Sequence, residues 1–66
     1  MNQTDYDITE AMLKRGGGFV LRLAQAFRAA DPDNQKILRD AFPGYWEIYA
    51  YVAEELAEKE VPSEQS

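Results

Sequence analysis

Cysteine and histidine are both missing from this 66-residue chain. Their absence removes disulfide staples and nearly all zinc, haem and iron–sulfur chemistry. It also leaves no imidazole base and no thiol nucleophile. Serine occurs only as Ser63 and Ser66. No stretch approaches the roughly 18 consecutive apolar residues of a membrane span. The N-terminal stretch, with Asp5, Asp7 and Glu10, is acidic where a secretory leader would be basic and then apolar. A soluble cytoplasmic protein is therefore expected, and the lack of cysteine fits a reducing compartment. Basic residues are scarce too: seven lysines and arginines face twelve acids, a net charge of −5. That balance opposes general affinity for nucleic acid, which needs bases to displace counterions, and opposes attraction to anionic membranes.

What is present favours folding. Apolar residues make up 45 % of the chain and aromatics 12 %, too rich for a disordered segment. The length allows one domain, expected over residues 1–60, with 61–66 as a disordered tail. So short a domain hides only about 60 % of the surface its unfolded chain exposes. Chains of this size often add a staple or a second subunit. A homodimer is accordingly expected, with Trp46 and Tyr49 as the candidate seam.

The periodicity is helical throughout and predicts an all-α fold of three main helices, with a short N-terminal fourth also allowed. Asp7-Ile-Thr-Glu10 has the form of a capping box, so a short helix through Met12 and Leu13 would start there. Gly16-Gly17-Gly18 should end it, since each glycine costs roughly 1 kcal/mol inside a helix. Phe19, Val20, Leu23, Ala24, Phe27 and Ala30 then mark one face of a second helix, with Arg22, Gln25 and Arg28 turned outward. Asp31-Pro32-Asp33 caps and begins a third helix, which Pro43 should stop at Phe42. The last helix, from about Tyr45 to Glu60, presents Tyr45, Ile48, Tyr49, Val52, Ala53 and Leu56 as a broad apolar stripe with Trp46 at its edge. Glu55 and Lys59 are ordered for a helical ion pair. The expected core is Phe19, Leu23, Phe27, Ile37, Leu38, Phe42, Tyr45, Tyr49, Val52 and Leu56.

Motifs for chemistry are weak. Lys14-Arg-Gly-Gly-Gly18 has its bases before the glycines, where a P-loop has its lysine after them, so a hinge accounts for it. Asp31, Asp33 and Asn34 resemble the opening of a calcium loop. Lys36 and Phe42 then fall where glycine and glutamate are required, and helix capping explains the acids. Glu54 and Glu58 share a helical face without a cleft, a poor acid–base pair. No catalytic residue, cofactor site or metal site is assigned, and an enzyme is not expected. Residues 19–42 have the outline of a helix-turn-helix, with Lys36 and Arg39 on the second helix. Its turn is acidic, though, and Asp33 would repel phosphate. A helical hairpin is the plainer account.

Charge and aromatic placement give the best functional lead. Residues 14–39 hold six bases against Asp31 and Asp33, whereas residues 40–66 hold seven acids against Lys59. Tyr51 falls on the polar side of the last helix among Glu47, Glu54, Glu55 and Glu58. An aromatic ringed by polar groups is a common contact anchor. These five residues are the candidate site for a partner with a basic surface.

The runs Gly17-Gly-Phe-Val20, Leu23-Ala-Gln-Ala26, Ala30-Asp-Pro-Asp-Asn34 and Ala41-Phe-Pro-Gly-Tyr-Trp46 resemble small helical proteins encoded in bacteriophage and prophage genomes. The likeness covers about residues 16–49 and concerns glycines, caps and core. It implies a shared fold and a context in which small acidic proteins modulate a host protein, including inhibition of defence systems such as CRISPR or restriction. It transfers no site residue. The alternatives are a nucleic-acid-binding accessory using Arg22, Arg28, Lys36 and Arg39, or a small self-assembling structural component.

Overall fold

Asn2 opens the first helix. Its side-chain oxygen accepts the Asp5 backbone amide at 2.7 Å, which satisfies one of the unpaired donors at the helix start. In the computed structural model, which describes residues 2–59 without the side chain of Lys59, four α-helices follow in order and no strand occurs among the described residues. They are α1 (Gln3–Arg15), α2 (Gly18–Ala29), α3 (Pro32–Ala41) and α4 (Pro43–Lys59). The expected tail over 61–66 and the Glu55–Lys59 pair lie outside the described residues.

The all-helical expectation holds, but α1 is no short appendage. It has 13 residues, more than α2 or α3. Asp7 does not cap it; it sits inside the helix and accepts Gln3 Nε2 at 2.9 Å. The break falls at the glycines, as their helix penalty requires. Gly16 is the one that packing demands. A Cβ there would come within 2.5 Å of both the Met12 carbonyl oxygen and Val20 Cγ1, while Gly17 and Gly18 face open space. Asp31 caps α3 by accepting the Asn34 amide at 3.3 Å, and Pro32 fills the first turn. Phe42 ends α3, and α4 begins immediately at Pro43, with Gly44 already helical.

The core forms around α1. Ile8, Ala11 and Met12 are buried with Val20, Leu23, Ala24 and Phe27 of α2 and Trp46 and Leu56 of α4. Phe27 and Trp46 pack with ring centroids 4.9 Å apart. Trp46 is thus a core residue, and its indole N–H has no hydrogen-bond partner among the described residues, a cost of about 1–3 kcal/mol. Of the expected core, Leu23, Phe27 and Leu56 are buried. Leu38, Phe42, Tyr45 and Tyr49 are half-buried against the core, and Val52 is also half-buried. Phe19 and Ile37 are corrected to exposed positions, at 57 % and 62 %.

α3 buries no residue completely, and Leu38 packs half-buried against the core that α1, α2 and α4 form. α4 is turned to suit α1. Its inward line runs through Trp46, Tyr49, Ala50, Ala53 and Leu56, rotated roughly 70° on a helical wheel from the stripe read in the sequence. Ala50, Ala53 and Ala57 line the α1–α4 groove with Thr4 and Ile8, small side chains that let the two helices approach.

Truncation should separate these classes. Met12→Ala or Phe27→Ala should cost about 2–5 kcal/mol, a large share of a small domain's stability. Ile37→Ala should cost no more than about 0.5 kcal/mol, as an exposed residue does. Urea unfolding followed by Trp46 fluorescence measures both, and equal losses at Met12 and Ile37 would contradict this core.

Candidate functional site

Two kinds of charged surface result from this packing, and they differ in whether the charges are already used. The bases of the middle segment mostly are. Arg28 turns onto α1: Nε donates to Thr9 Oγ1 at 2.9 Å, and Nη2 donates to the Tyr6 carbonyl at 3.0 Å and to Glu10 Oε1 at 2.9 Å. Its guanidinium carbon stands 4.4 Å from the Tyr6 ring centroid. Thr9, fully buried, passes its own hydroxyl hydrogen back to the Asp5 carbonyl at 2.8 Å. Arg39 of α3 donates from Nη1 to Asp5 Oδ2 at 3.0 Å, and its guanidinium lies over Phe27 at 6.0 Å. Gln35 Nε2 donates to the Phe27 carbonyl at 3.1 Å, satisfying an acceptor in the last turn of α2. This polar seam fastens α2 and α3 to α1. The outward placement expected for Arg28 is therefore corrected.

Lys36 pairs with Asp40 at 2.6 Å, one turn along α3. The hydrogen bond from Lys36 holds the Asp40 carboxyl below its ordinary value of 3.8, with the Lys36 and Arg39 charges adding to it and desolvation opposing. A depressed carboxyl stabilises the fold above its unfolded value, and that contribution disappears as pH falls through the folded one. Both groups are well exposed, so the effect is small.

The acids of α4 are in the other condition. Glu47, Glu54, Glu55 and Glu58 are all exposed, and Tyr51 is 69 % exposed among them. At ~100° per residue the five fall within roughly 100° of arc, on the side of α4 away from Trp46 and Leu56. Residues 43–58 contain no lysine or arginine to neutralise them. The structure thus brings the five sequence-derived site residues to one face. It separates Trp46 and Tyr49 from that face: the first is buried at 7 % exposure and the second half-buried against the core.

One flank was missed. Ile48 is 57 % exposed, beside Tyr51 on the outer helix, although its spacing placed it in the apolar stripe. It borders a shallow hollow of about 300 Å³ lined by Ala41, Phe42, Pro43, Gly44 and Tyr45. Phe19 closes an aromatic triangle there, 5.8 Å from Phe42 and 6.0 Å from Tyr45. The sequence signal for this flank was the Phe42-Pro43-Gly44-Tyr45 junction itself, where two helices meet without a linker long enough to cover the corner. On the opposite flank Glu54 and Asp7 line the α1–α4 groove, a depression of about 230 Å³.

Among the described residues no group of acids converges on a metal position, and no helix is long and apolar enough to cross a membrane. Comparisons with protein-family models, with curated proteins and with solved structures find no match.

The polar seam and the α3 pair should respond differently to removal. Asp5→Ala and Arg39→Ala should each cost about 1–3 kcal/mol, because each leaves a partly buried charge unpaired, and the double variant should cost less than their sum. Lys36→Ala should lower the melting temperature slightly at neutral pH and flatten, by the same small amount, its decline as pH falls below the ordinary carboxylate range. Thermal melts across pH measure all four, and additive losses at Asp5 and Arg39 would contradict the pairing.

Proposed function

We propose that this protein binds a host protein with a basic surface through the outer face of α4, and so modulates or inhibits it. Tyr51 is the anchor, and Glu47, Glu54, Glu55 and Glu58 supply the field around it. The observation that carries this reading is the combination on one helix of a 69 % exposed tyrosine and four exposed carboxylates with no base between residues 43 and 58. The fold does not use these side chains, since the core lies on the other side of the helix. The resemblance to phage-encoded proteins supplies the context: action in the host cytoplasm, with inhibition of a defence system such as CRISPR as one form of modulation.

The nucleic-acid alternative is less well supported. Of its four bases, Arg28, Lys36 and Arg39 are engaged with Glu10, Asp40 and Asp5. Phosphate contacts would have to compete with those partners, and Arg28 and Arg39 would leave the seam to make them. A homodimer joined through Trp46 and Tyr49 would have to reopen the core around Phe27.

Division of labour follows from the chemistry. Carboxylates at the rim act over distance and set association rate, whereas a desolvated aromatic sets residence time. With the host protein recovered by affinity purification, Glu54→Lys with Glu58→Lys should slow association and weaken its salt dependence. Tyr51→Ala should instead speed dissociation, for a loss of about 2 kcal/mol. Helicity should survive both. Parent-like binding by these variants, with binding lost on Arg22→Ala, would move the interface to the basic helices.

A further inference from the structure

The α4 face does not end at its carboxylates. Ile48 belongs at once to the helix surface beside Tyr51 and to the hollow formed with Ala41, Phe42, Pro43, Gly44 and Tyr45. One helix therefore carries an apolar recess at its start, with Glu47 beside it, and an acidic surface from its middle onward. Seven residues separate Ile48 from Glu55, about 10 Å along the axis, and Tyr51 lies between them.

Resting on the reading of α4 as the partner face, we infer that the partner segment is bipartite. An apolar side chain seats in the hollow at Ile48, and arginine or lysine side chains about 10 Å further on meet Tyr51, Glu55 and Glu58. Charge complementarity selects this occupant. A second copy laid on the same face would set Glu54, Glu55 and Glu58 against the same carboxylates when parallel, and against the apolar hollow when antiparallel, where they would lose water without a countercharge. Nucleic acid would bring phosphates to the same acids. A wholly apolar segment would cover Glu55 and Glu58 and strip their water without returning a countercharge. A wholly basic segment would leave the hollow unfilled and would have nothing to hold it once salt screened the carboxylates. A guanidinium also has two complementary surfaces within reach, the Tyr51 ring for its face and a glutamate for its edge.

The recess gives the encounter a register. Rim carboxylates attract any basic chain, but only a segment with its apolar residue two helical turns from its bases fills both parts together. The acidic region supplies approach, and the hollow supplies selection among basic partners.

Two synthetic helical peptides of equal charge test this on the whole protein. Both carry the same arginines on an alanine background, and one has phenylalanine two turns ahead of them. Amide chemical shifts are followed during titration at low and moderate salt. Both peptides should move residues 51–58 at low salt, and the phenylalanine peptide alone should also move residues 41–45 and 48 and bind about tenfold more tightly. Ile48→Ser should abolish that tenfold advantage while leaving the arginine-only peptide unaffected and the circular dichroism spectrum unchanged, because the side chain is exposed. Equal affinity for both peptides, with residues 41–45 silent, would overturn the bipartite site and leave the acidic face standing. No response at residues 51–58 to either peptide would overturn both. Concentration-dependent shifts at residues 41–48 in the protein alone would assign the hollow to a second copy and overturn the inference.

Discussion

Everything in this fold depends on the burial of Ile8 and Met12 of α1 between α2 and α4. A chain this short has material for one small core, and α1 is the helix that both long neighbours share. Met12 and Ala11 are fully buried, and Phe27 reaches the same cluster from α2 and Trp46 from α4. With α1 at the centre, α3 can be only a lateral strut. It buries no residue completely and is held by Arg39 on Asp5, Gln35 on the Phe27 carbonyl, and the half-buried Leu38 and Phe42.

The same packing arranges the charge. Arg28 and Arg39 are drawn onto α1 by Glu10, Thr9 and Asp5, so two arginines of the middle segment serve the packing of the helices. Residues 43–58 bring the glutamates of α4 no such partner. Four carboxylates, Glu47, Glu54, Glu55 and Glu58, are thereby gathered on one outer face, with Tyr51 among them and Ile48 beside it. On the proposed reading, packing and recognition fall on opposite sides of one helix.

Much of this could be read from residue types whose effect is local. Asp31-Pro32 marked a helix start, the three glycines marked a break, and the glutamates with Tyr51 marked an outer face, because capping, backbone entropy and helical spacing act over a few residues. The role of α1 was not legible. Its inward face includes Asp5 and Thr9, polar residues that enter the interior only because Arg28 and Arg39 arrive from 19 and 34 positions away. Without those arginines the inward apolar signal of α1 is Ile8, Ala11 and Met12 with Leu13 half-buried beside them, too little to suggest the central helix. Arg28 was placed outward for the complementary reason, since a wheel cannot show a distant threonine. The rotation of α4 is a third case. Alanines at 50, 53 and 57 carry little hydrophobicity yet permit close approach to α1, and close approach prevailed over the larger side chains of Ile48 and Tyr45.

The proposed function puts the partner on the outer face of α4 and not on the basic middle segment. A photo-crosslinking residue introduced in host cells tests it most directly, as Tyr51→p-benzoylphenylalanine in one strain and Arg22→p-benzoylphenylalanine in another. Both positions are exposed, so both variants should fold. The account predicts a discrete covalent adduct with a single host protein from position 51 and none from position 22. An adduct from position 22 with position 51 silent would contradict it.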